Sequence, residues 1–126
     1  MASVLYHNSV SPPSRLALLA IRNLGLDIQI KVLDIYNGEQ NTSEYLKINP
    51  LHQVPVLVDG DYVLTESRAI ACYLANTKMN SPLYPTDPKA RAFIESRLYF
   101  DATNSFPTIR DFAVSIFNGT KNNHNC

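Results

Sequence analysis

Apolar residues recur along this chain alternately with the spacing of strands and with that of helices. A short apolar run at 4–6 predicts a first strand. Four apolar residues then follow at helical spacing: Leu16, Leu19, Ala20 and Leu24. Ser11 is a good N-cap for this helix, Pro12 suits its first turn, and Gly25 fits the left-handed position that ends a helix.

The next segments predict a second strand and a second, shorter helix. Ile28, Ile30 and Val32 alternate with polar residues, which is the pattern of a half-exposed strand. Residues 43–48 predict a short helix, and Asn49-Pro50 ends it because the residue before a proline disfavours helical angles.

A hairpin is predicted after this helix. Two short apolar runs, 56–58 and 62–64, flank Asp59-Gly60, a residue pair that accepts the positive φ angles of a two-residue turn. Pro55 opens the first of these strands, a position that tolerates a residue without an N–H group. The sequence therefore predicts two antiparallel strands here.

The segment after the hairpin predicts a third helix with polar groups at its start. Thr65 is placed to cap it, and four residues form its apolar face: Ile70, Ala71, Tyr73 and Leu74. Glu66 and Ser67 then lie at a helix N-terminus, where free N–H groups and the helix dipole favour an anion. With the backbone before Pro55, these groups suit a peptide-like ligand.

The predicted order, β-α-β-α-β-β-α, is the thioredoxin-like arrangement of the α/β class, and residues 1–78 suffice to build it. Residues 79–87 predict a linker, since they hold two prolines and show no periodicity. Residues 88–117 predict the start of an all-helical domain, interrupted at Pro107, and 118–126 predict a disordered tail.

Composition and charge exclude several classes of function. The 126 residues are 45% apolar and carry a formal net charge of zero without charged runs, so neither nucleic acid nor an acidic membrane surface is an expected partner. No signal peptide or membrane span is expected. The two cysteines, Cys72 and Cys126, suggest neither disulfides nor a metal site, which fits a cytoplasmic protein.

The turn between the first strand and the first helix excludes one type of chemistry. Thioredoxin-like redox enzymes carry C-x-x-C at this turn, whereas this chain has Ser11 and Ser14 at the two positions. Dithiol exchange is therefore excluded here. From the residues alone, Ser11 is either a plain N-cap or a hydroxyl that acts on a ligand.

Several motifs together resemble the glutathione transferases, most closely the insect delta and epsilon classes. The motifs are Ser11-Pro-Pro-Ser-Arg15 and the segments 46–55, 65–70, 83–85 and 97–101. The resemblance covers about residues 3–115. It implies a glutathione-binding first domain, a helical domain that shapes the pocket for a small hydrophobic electrophile, and a homodimer. Glutathione is then a co-substrate, and no metal or cofactor is implied.

The resemblance gives Ser11 a catalytic role, stabilisation of the glutathione thiolate. Only a few per cent of a thiol with a pKa near ~8.5 is ionised at neutral pH, and the thiolate is the nucleophile. A decrease of about two units in that pKa requires roughly 2.7 kcal/mol. Ser9 is the competing hydroxyl, although it lies earlier in the loop.

The resemblance also implies a set of glutathione-binding residues: Gln40, His52, Gln53, Val54, Pro55, Glu66, Ser67 and Arg68. Val54-Pro55 would be a cis peptide whose backbone pairs with the cysteinyl part, and His52 would meet the glycine carboxylate. Ser67 would take the γ-glutamyl carboxylate and Glu66 its amino group, with Arg68 neutralising a buried Glu66 or lying at the dimer face. The residues alone also allow simpler interpretations. Val54-Pro55 is then an ordinary strand start, His52 is a surface histidine, and Glu66 and Ser67 are good first-turn residues.

The chain departs from the family pattern in three ways. Ser14 replaces a cysteine, and Gln40 stands where many delta enzymes have a histidine near the glycine end of glutathione. The sequence contains only about the first two helices of the helical domain that the resemblance implies. The sequence therefore predicts a transferase that activates glutathione through a serine, for detoxification. The alternatives are a truncated, catalytically weak module that binds glutathione or a partner, and a fragment without function.

Overall fold

The computed structural model describes residues 3–122 and divides into two compact units after Tyr84, within the expected linker. We call residues up to Tyr84 the sheet unit and residues from Pro85 the helical unit. The sheet unit contains, in order, β1 (Val4–His7), α1 (Pro12–Leu24), β2 (Gln29–Val32), a 3₁₀ turn (Glu39–Asn41), α2 (Ser43–Ile48), β3 (Val56–Asp59), β4 (Tyr62–Leu64) and α3 (Ser67–Thr77). This order confirms the thioredoxin-like prediction.

The four strands form one mixed sheet in the order β2-β1-β3-β4. β1 runs parallel to β2, as expected for two strands joined through a helix, and β3 is antiparallel to both β1 and β4. In this register Tyr6 lies opposite Val56, and Leu57 lies opposite Leu64. The end of β1, the start of β3 and the end of β4 therefore meet at one edge of the sheet.

Each face of the sheet is covered by helices through its own apolar cluster. One cluster joins β1 and β3 to α1 and α3: Leu5, Ala17, Ile21, Leu24, Leu57, Ile70, Leu74 and Ala75. The other joins the opposite face to α2: Leu33, Tyr45 and Val56. Successive residues of a strand point to opposite faces, which is why Val56 and Leu57 fall in different clusters.

Helix α1 begins and ends as the sequence predicts. The Ser11 side chain caps its N-terminus, and Pro12 occupies the first helical position. Gly25 ends the helix with a φ of 62°, and its N–H bonds to the carbonyls of Arg22 and Ile21. The ammonium group of Lys78 donates to the carbonyl of Leu24 in the last turn. Both ends of α1 are thus held by hydrogen bonds.

Two local predictions around the hairpin are wrong by one residue. Asp59 pairs with Tyr62, so the two loop residues are Gly60 and Asp61, with Gly60 at a φ of 64°. Residue Glu66, with a φ of 67° and a ψ of 106°, occupies the N-cap position of α3, and no side chain caps it. Thr65 is therefore not the cap, because the chain enters α3 through a left-handed residue.

The helical unit is one helical run rather than two separate segments. It comprises α4 (Pro88–Phe100), a π-helical turn (Asp101–Ser105) and α5 (Phe106–Asn122), and Asp87 caps its start. Phe106 N–H bonds to the carbonyl of Asp101, five residues back. This wider turn accommodates Pro107, which lacks an N–H and clashes with a regular helix. The chain therefore stays helical through Pro107, and only the regular α-helical bonding is interrupted, just before it, at Asp101–Ser105.

The structure also corrects the expected tail. Helix α5 continues to Asn122, so residues 118–122 are helical rather than irregular. The rest of the predicted tail, 123–126, lies outside the described residues.

Candidate functional site

Four connecting segments lie at the sheet edge where β1 ends and β3 begins. Residues 8–11 follow β1, and residues 33–42 follow the parallel strand β2. Residues 49–55 lead into β3, and residues 65–66 follow β4, whose end pairs with the start of β3. The topology therefore brings Ser11, Gln40, the segment around Pro55 and the start of α3 to one edge.

Ser11 caps α1, and its geometry is compatible with the second role that the sequence proposes, a hydroxyl that acts on a ligand. Its Oγ accepts a hydrogen bond from the backbone N–H of Ser14 at 3.3 Å, which makes it the N-cap of α1. A hydroxyl has one donor proton and two acceptor lone pairs, so this contact leaves the proton available to a ligand. The Ser11 side chain is half-buried at the sheet edge. Capping and proton donation are therefore compatible.

The segment before β3 is organised by Tyr45 and Asn49, both nearly fully buried. The Tyr45 hydroxyl donates to the carbonyl of Gln53 at 2.6 Å, and the Asn49 amide donates to the same oxygen at 2.9 Å. Burial raises the pKa of Tyr45 to about 12, so this hydroxyl keeps its proton at neutral pH. The carbonyl of Gln53 is thereby fixed by two side chains of the protein itself.

The next residue, Val54, has backbone groups that are available to a ligand. The Val54–Pro55 bond is cis, as the resemblance implies, and Pro55 is buried. Across residues 3–122, no hydrogen bond involves the half-buried backbone groups of Val54. His52 is exposed at a φ of 47°, and its N–H bonds to the carbonyl of Asn49. Such unused backbone groups favour a ligand that carries a peptide bond.

The start of α3 carries a buried hydroxyl without a partner. Ser67 is 2% exposed, and its Oγ finds no hydrogen bond in the part of the chain that the structure describes. Ser67 is the first residue of α3, so unpaired N–H groups and the helix dipole lie beside it. A carboxylate would satisfy both the hydroxyl and the helix end.

Glu66 and Arg68 flank this hydroxyl. Glu66 is exposed, contrary to the expectation that it is buried, and its carboxylate makes no ion pair within residues 3–122. A left-handed φ at a glutamate is uncommon and occurs more often at functional sites than elsewhere. Arg68 lies half-buried in the first turn of α3.

Gln40 and Ser14 contain the other two buried polar atoms that lack partners among the described residues. The Nε2 of Gln40 donates to the carbonyl of Ile35 at 3.2 Å, which leaves its Oε1 unpaired. The unpaired atom is an acceptor, which suits an N–H donor better than a carboxylate. Ser14 is fully buried behind the first turn of α1, so its hydroxyl faces the interior.

A buried histidine lies beneath the turn that carries Ser11. His7 is the last residue of β1, and its Nδ1 lies 3.2 Å from the carbonyl of Ser14. Burial lowers the pKa of His7 below its usual 6.5, and the charge of Arg22 lowers it further. The imidazole is therefore neutral at neutral pH and adds no positive charge to this edge.

Sequence reasoning missed the two residues that hold the segment before β3 in place, Tyr45 and Asn49. The sequence predicts Asn49 only as a helix terminator, whereas its side chain accepts from Leu51 N–H and donates to the carbonyl of Gln53. Asparagine next to a loop is a known signal for such side chain–backbone bonds. Their partners, however, depend on the folded arrangement.

Residues 3–122 contain neither a metal-binding cluster nor a membrane-spanning helix. No group of three or more His, Cys, Asp or Glu side chains could hold a metal ion. None of the described helices is both long enough and apolar enough to cross a bilayer.

A mixed four-stranded sheet, helices on both faces and a cis-proline at the start of β3 together define a thioredoxin-like domain. A sequence model of the glutathione S-transferase N-terminal domain matches residues 1–76. The chain is 41% identical over 115 residues to glutathione S-transferase D7 of Drosophila melanogaster. That alignment covers 90% of this chain and 51% of the relative. The chain belongs to the glutathione transferase family.

Solved structures agree with this assignment and include insect delta- and epsilon-class enzymes. A delta-class glutathione transferase of Nilaparvata lugens matches with a TM-score of 0.86 and 42% identity, over 93% of this chain and 56% of that one. A glutathione transferase homologue of Drosophila mojavensis with bound glutathione matches with a TM-score of 0.76 and 40% identity, over 81% and 47%. This chain spans about half the length of the curated relatives that it matches.

Proposed function

We propose that the sheet unit binds glutathione and that Ser11 activates its thiol for conjugation to a small hydrophobic electrophile. The observation that carries this proposal is the geometry of Ser11. Its oxygen accepts from the first turn of α1 while its proton remains free to donate. The bond from Ser14 N–H also polarises the hydroxyl, which makes it a better donor.

The energetics of thiolate formation are within reach of this arrangement. A decrease of two units in the thiol pKa requires roughly 2.7 kcal/mol. A hydrogen bond to a charged group supplies about 1.5–3 kcal/mol, and the N-terminus of α1 adds about 0.3–1 kcal/mol. The Ser11 hydroxyl and the helix end together therefore suffice without a metal ion.

The remaining groups at the edge match the parts of glutathione. The unpaired backbone of Val54 suits the cysteinyl peptide, and the Ser67 hydroxyl with the start of α3 suits the γ-glutamyl carboxylate. The exposed carboxylate of Glu66 is then the partner of the γ-glutamyl amino group. A homologue with bound glutathione supports this class of ligand.

At the glycine end we assign different contacts to His52 and Gln40. The exposed imidazole of His52 would donate to the glycine carboxylate. The unpaired Oε1 of Gln40 would accept from an N–H of the ligand, because a carboxylate offers it no proton. Gln53 contributes through its backbone, while Pro55 and Arg68 shape the two borders of the site.

The electrophile, a homodimeric assembly and a cytoplasmic location remain part of the proposal and rest on family membership. The second candidate is a module that binds glutathione but catalyses weakly. One observation favours it: all groups assigned to glutathione lie in the sheet unit, while no described side chain of the helical unit is buried. A pocket for the electrophile would therefore have to form at side chains that are solvent-exposed or only half-buried in this chain.

The test compares the purified chain with its Ser11→Ala variant in glutathione conjugation to chlorodinitrobenzene. We expect the rate to fall by about ten- to hundredfold, since a bond to a charged acceptor is worth about 1.5–3 kcal/mol. Ser9→Ala is the matched control, because Ser9 is an exposed hydroxyl in the same loop. Equal rates for Ser11→Ala and the parent would exclude the mechanism.

Calorimetric titration with glutathione separates the two candidates. Binding accompanied by a rate that falls about ten- to hundredfold in Ser11→Ala supports the transferase. Binding by a folded chain whose rate equals the uncatalysed background supports the module instead.

A further inference from the structure

Asn8 makes three hydrogen bonds that involve the turn before Ser11. Two close the turn, and one joins it to Leu33. Its side-chain Nδ2 donates to the carbonyl of Leu33 at 2.7 Å, and its Oδ1 accepts from Val10 N–H at 2.9 Å. Its backbone carbonyl accepts from Ser11 N–H at 3.2 Å. Asn8 is only 7% exposed, so water does not replace these partners.

The three bonds fix the turn from two directions. The bonds to Val10 and Ser11 close the turn upon itself, in the manner of an asparagine that bonds to the backbone two residues on. The bond to Leu33 ties this turn to a segment 25 residues later in the chain. The Asn8 amide makes both connections because it carries a donor and an acceptor on one group.

The anchor at Leu33 is itself held firmly. Its N–H bonds to the carbonyl of His7 at 2.8 Å, and its side chain is buried in the cluster beneath α2. The turn is therefore joined through Leu33 to the core beneath α2. Ser11, in contrast, caps α1, which packs on the opposite face of the sheet. A shift of the turn would move the Ser11 oxygen relative to both.

We infer that Asn8 is a positioning residue that sets the direction of the Ser11 hydroxyl. The inference rests on the proposed function, because it assigns Asn8 an effect on the glutathione thiol through Ser11. Asn8 itself touches neither the thiol nor the electrophile in this arrangement. Replacing Asn8 would leave the groups proposed to bind glutathione at Val54 and Ser67 in place. It would change the direction of the Ser11 hydroxyl proton.

The first experiment measures the pKa of the bound glutathione thiol from thiolate absorbance as a function of pH, in the parent, Asn8→Ala, Ser11→Ala and the double variant. We expect Asn8→Ala to raise this pKa by about one unit, from ~6.5 to ~7.5 if the parent lowers it by the proposed two units, which reduces the thiolate fraction at pH 7 roughly threefold. Affinity for S-methylglutathione, which has no thiol proton, should change less than about twofold. If Asn8 had a merely structural role, Asn8→Ala would raise the thiol pKa and weaken the binding of S-methylglutathione together.

The double variant shows whether Asn8 acts through Ser11. We expect Asn8→Ala to raise the thiol pKa no further once Ser11 is alanine. If Ser11→Ala raises the pKa but Asn8→Ala does not, or if the two effects add, the positioning role is wrong and the proposed function stands. If Ser11→Ala itself has no effect, both are wrong.

A second experiment needs no ligand and applies even if the chain binds glutathione weakly. Amide hydrogen exchange should be at least about tenfold faster at Val10 and Ser11 in Asn8→Ala, because the bonds that protect them are lost or loosened. Exchange at Ile21, inside α1, should not change. Unaltered exchange at Val10 and Ser11 would overturn the inference.

Two further variants complete the design. Asn23→Ala removes an exposed asparagine of α1 that bonds only to the carbonyl of Leu19, and it should leave every readout unchanged. Asn8→Ser keeps a short acceptor for Val10 N–H but cannot reach Leu33. It should fall between the parent and Asn8→Ala, and parent-like behaviour in it would exclude the Leu33 bond as the cause.

Discussion

The two units of this chain use apolar residues in opposite ways. In the sheet unit, eight buried residues from two strands and two helices form one cluster, and three more form another on the opposite face. In the helical unit, large apolar side chains are solvent-exposed, among them Phe93, Ile109 and Phe112. Among its described side chains, none is buried.

The difference shows what an apolar pattern does and does not predict. A sheet with helices on both faces covers its own apolar positions, so period and burial agree in the sheet unit. One helical run has nothing within itself to cover its apolar face, and isolated helices gain little stability without such packing. The same periodicity therefore specifies a core in one unit and only an exposed face in the other.

The largest effect should come from one substitution made in each unit. Ile70→Ala removes a side chain that is 0% exposed, and we expect it to cost about 2–5 kcal/mol of unfolding free energy. Ile109→Ala, where the side chain is 58% exposed, should change it by less than about 0.5 kcal/mol. Urea denaturation followed by circular dichroism measures both. Equal costs would show that Ile109 is packed in solution and would remove the contrast.

A second effect concerns the acid sensitivity of the sheet unit through His7. The unfolded chain binds a proton at His7 near pH 6.5, whereas burial lowers the pKa of His7 in the folded chain. The unfolded state therefore binds more protons below that pH, and unfolding free energy falls as pH decreases. The limiting slope is about 1.4 kcal/mol per pH unit, until the folded pKa is also passed.

His7→Gln should remove this slope between about pH 7 and 5, since glutamine keeps a donor for the Ser14 carbonyl but does not titrate. His52→Gln, at an exposed histidine, should keep it. Urea denaturation at several pH values gives the measurement. A slope that persists in His7→Gln would assign the acid sensitivity to other groups.

A smaller effect distinguishes two buried hydroxyls within the sheet unit. Ser14 and Ser67 both lack partners for Oγ among the described residues, so replacing either with alanine should stabilise the ligand-free chain by up to about 1 kcal/mol. Only Ser67→Ala should weaken glutathione binding, by about tenfold or more. Thermal denaturation and calorimetric titration test the pair. Equal affinity for glutathione in both variants would remove Ser67 from the proposed site.

The smallest effect should come from Pro107→Ala in the helical unit. The π-helical turn already accommodates the proline, so the substitution should change the unfolding free energy by about 1 kcal/mol or less, below the roughly 3 kcal/mol of a proline in a regular helix. The new N–H at position 107 should be protected from hydrogen exchange. Rapid exchange there would show that the turn stays open without the proline.

What the sequence could predict depended on how local each signal is. Ser11 and Gly25 mark the ends of α1 because the capping residues act within one turn. The order of strands and helices along the chain followed from the alternation of periods. The left-handed angle at Glu66 could not be predicted, because no propensity favours it at a glutamate. The cis bond before Pro55 came only through the family resemblance.

The candidate site divides in the same way. Ser11 and Ser67 could be named from helix starts, whereas the link from Asn8 to Leu33 spans 25 residues and exists only after β1 and β2 pair. The anchoring of Gln53 by Tyr45 and Asn49 likewise needs α2 docked beneath the loop. Residues proposed to contact the ligand are thus easier to identify from the sequence than the residues that hold them in position.

The π-helical turn at Asp101–Ser105 also bears on how this chain tolerates insertions and deletions. Relative to a regular helix, such a turn contains one surplus residue, and one residue corresponds to a rotation of about 100° about the helix axis. Removing one residue from the turn should restore regular bonding and rotate all of α5 with respect to α4 without unfolding either helix.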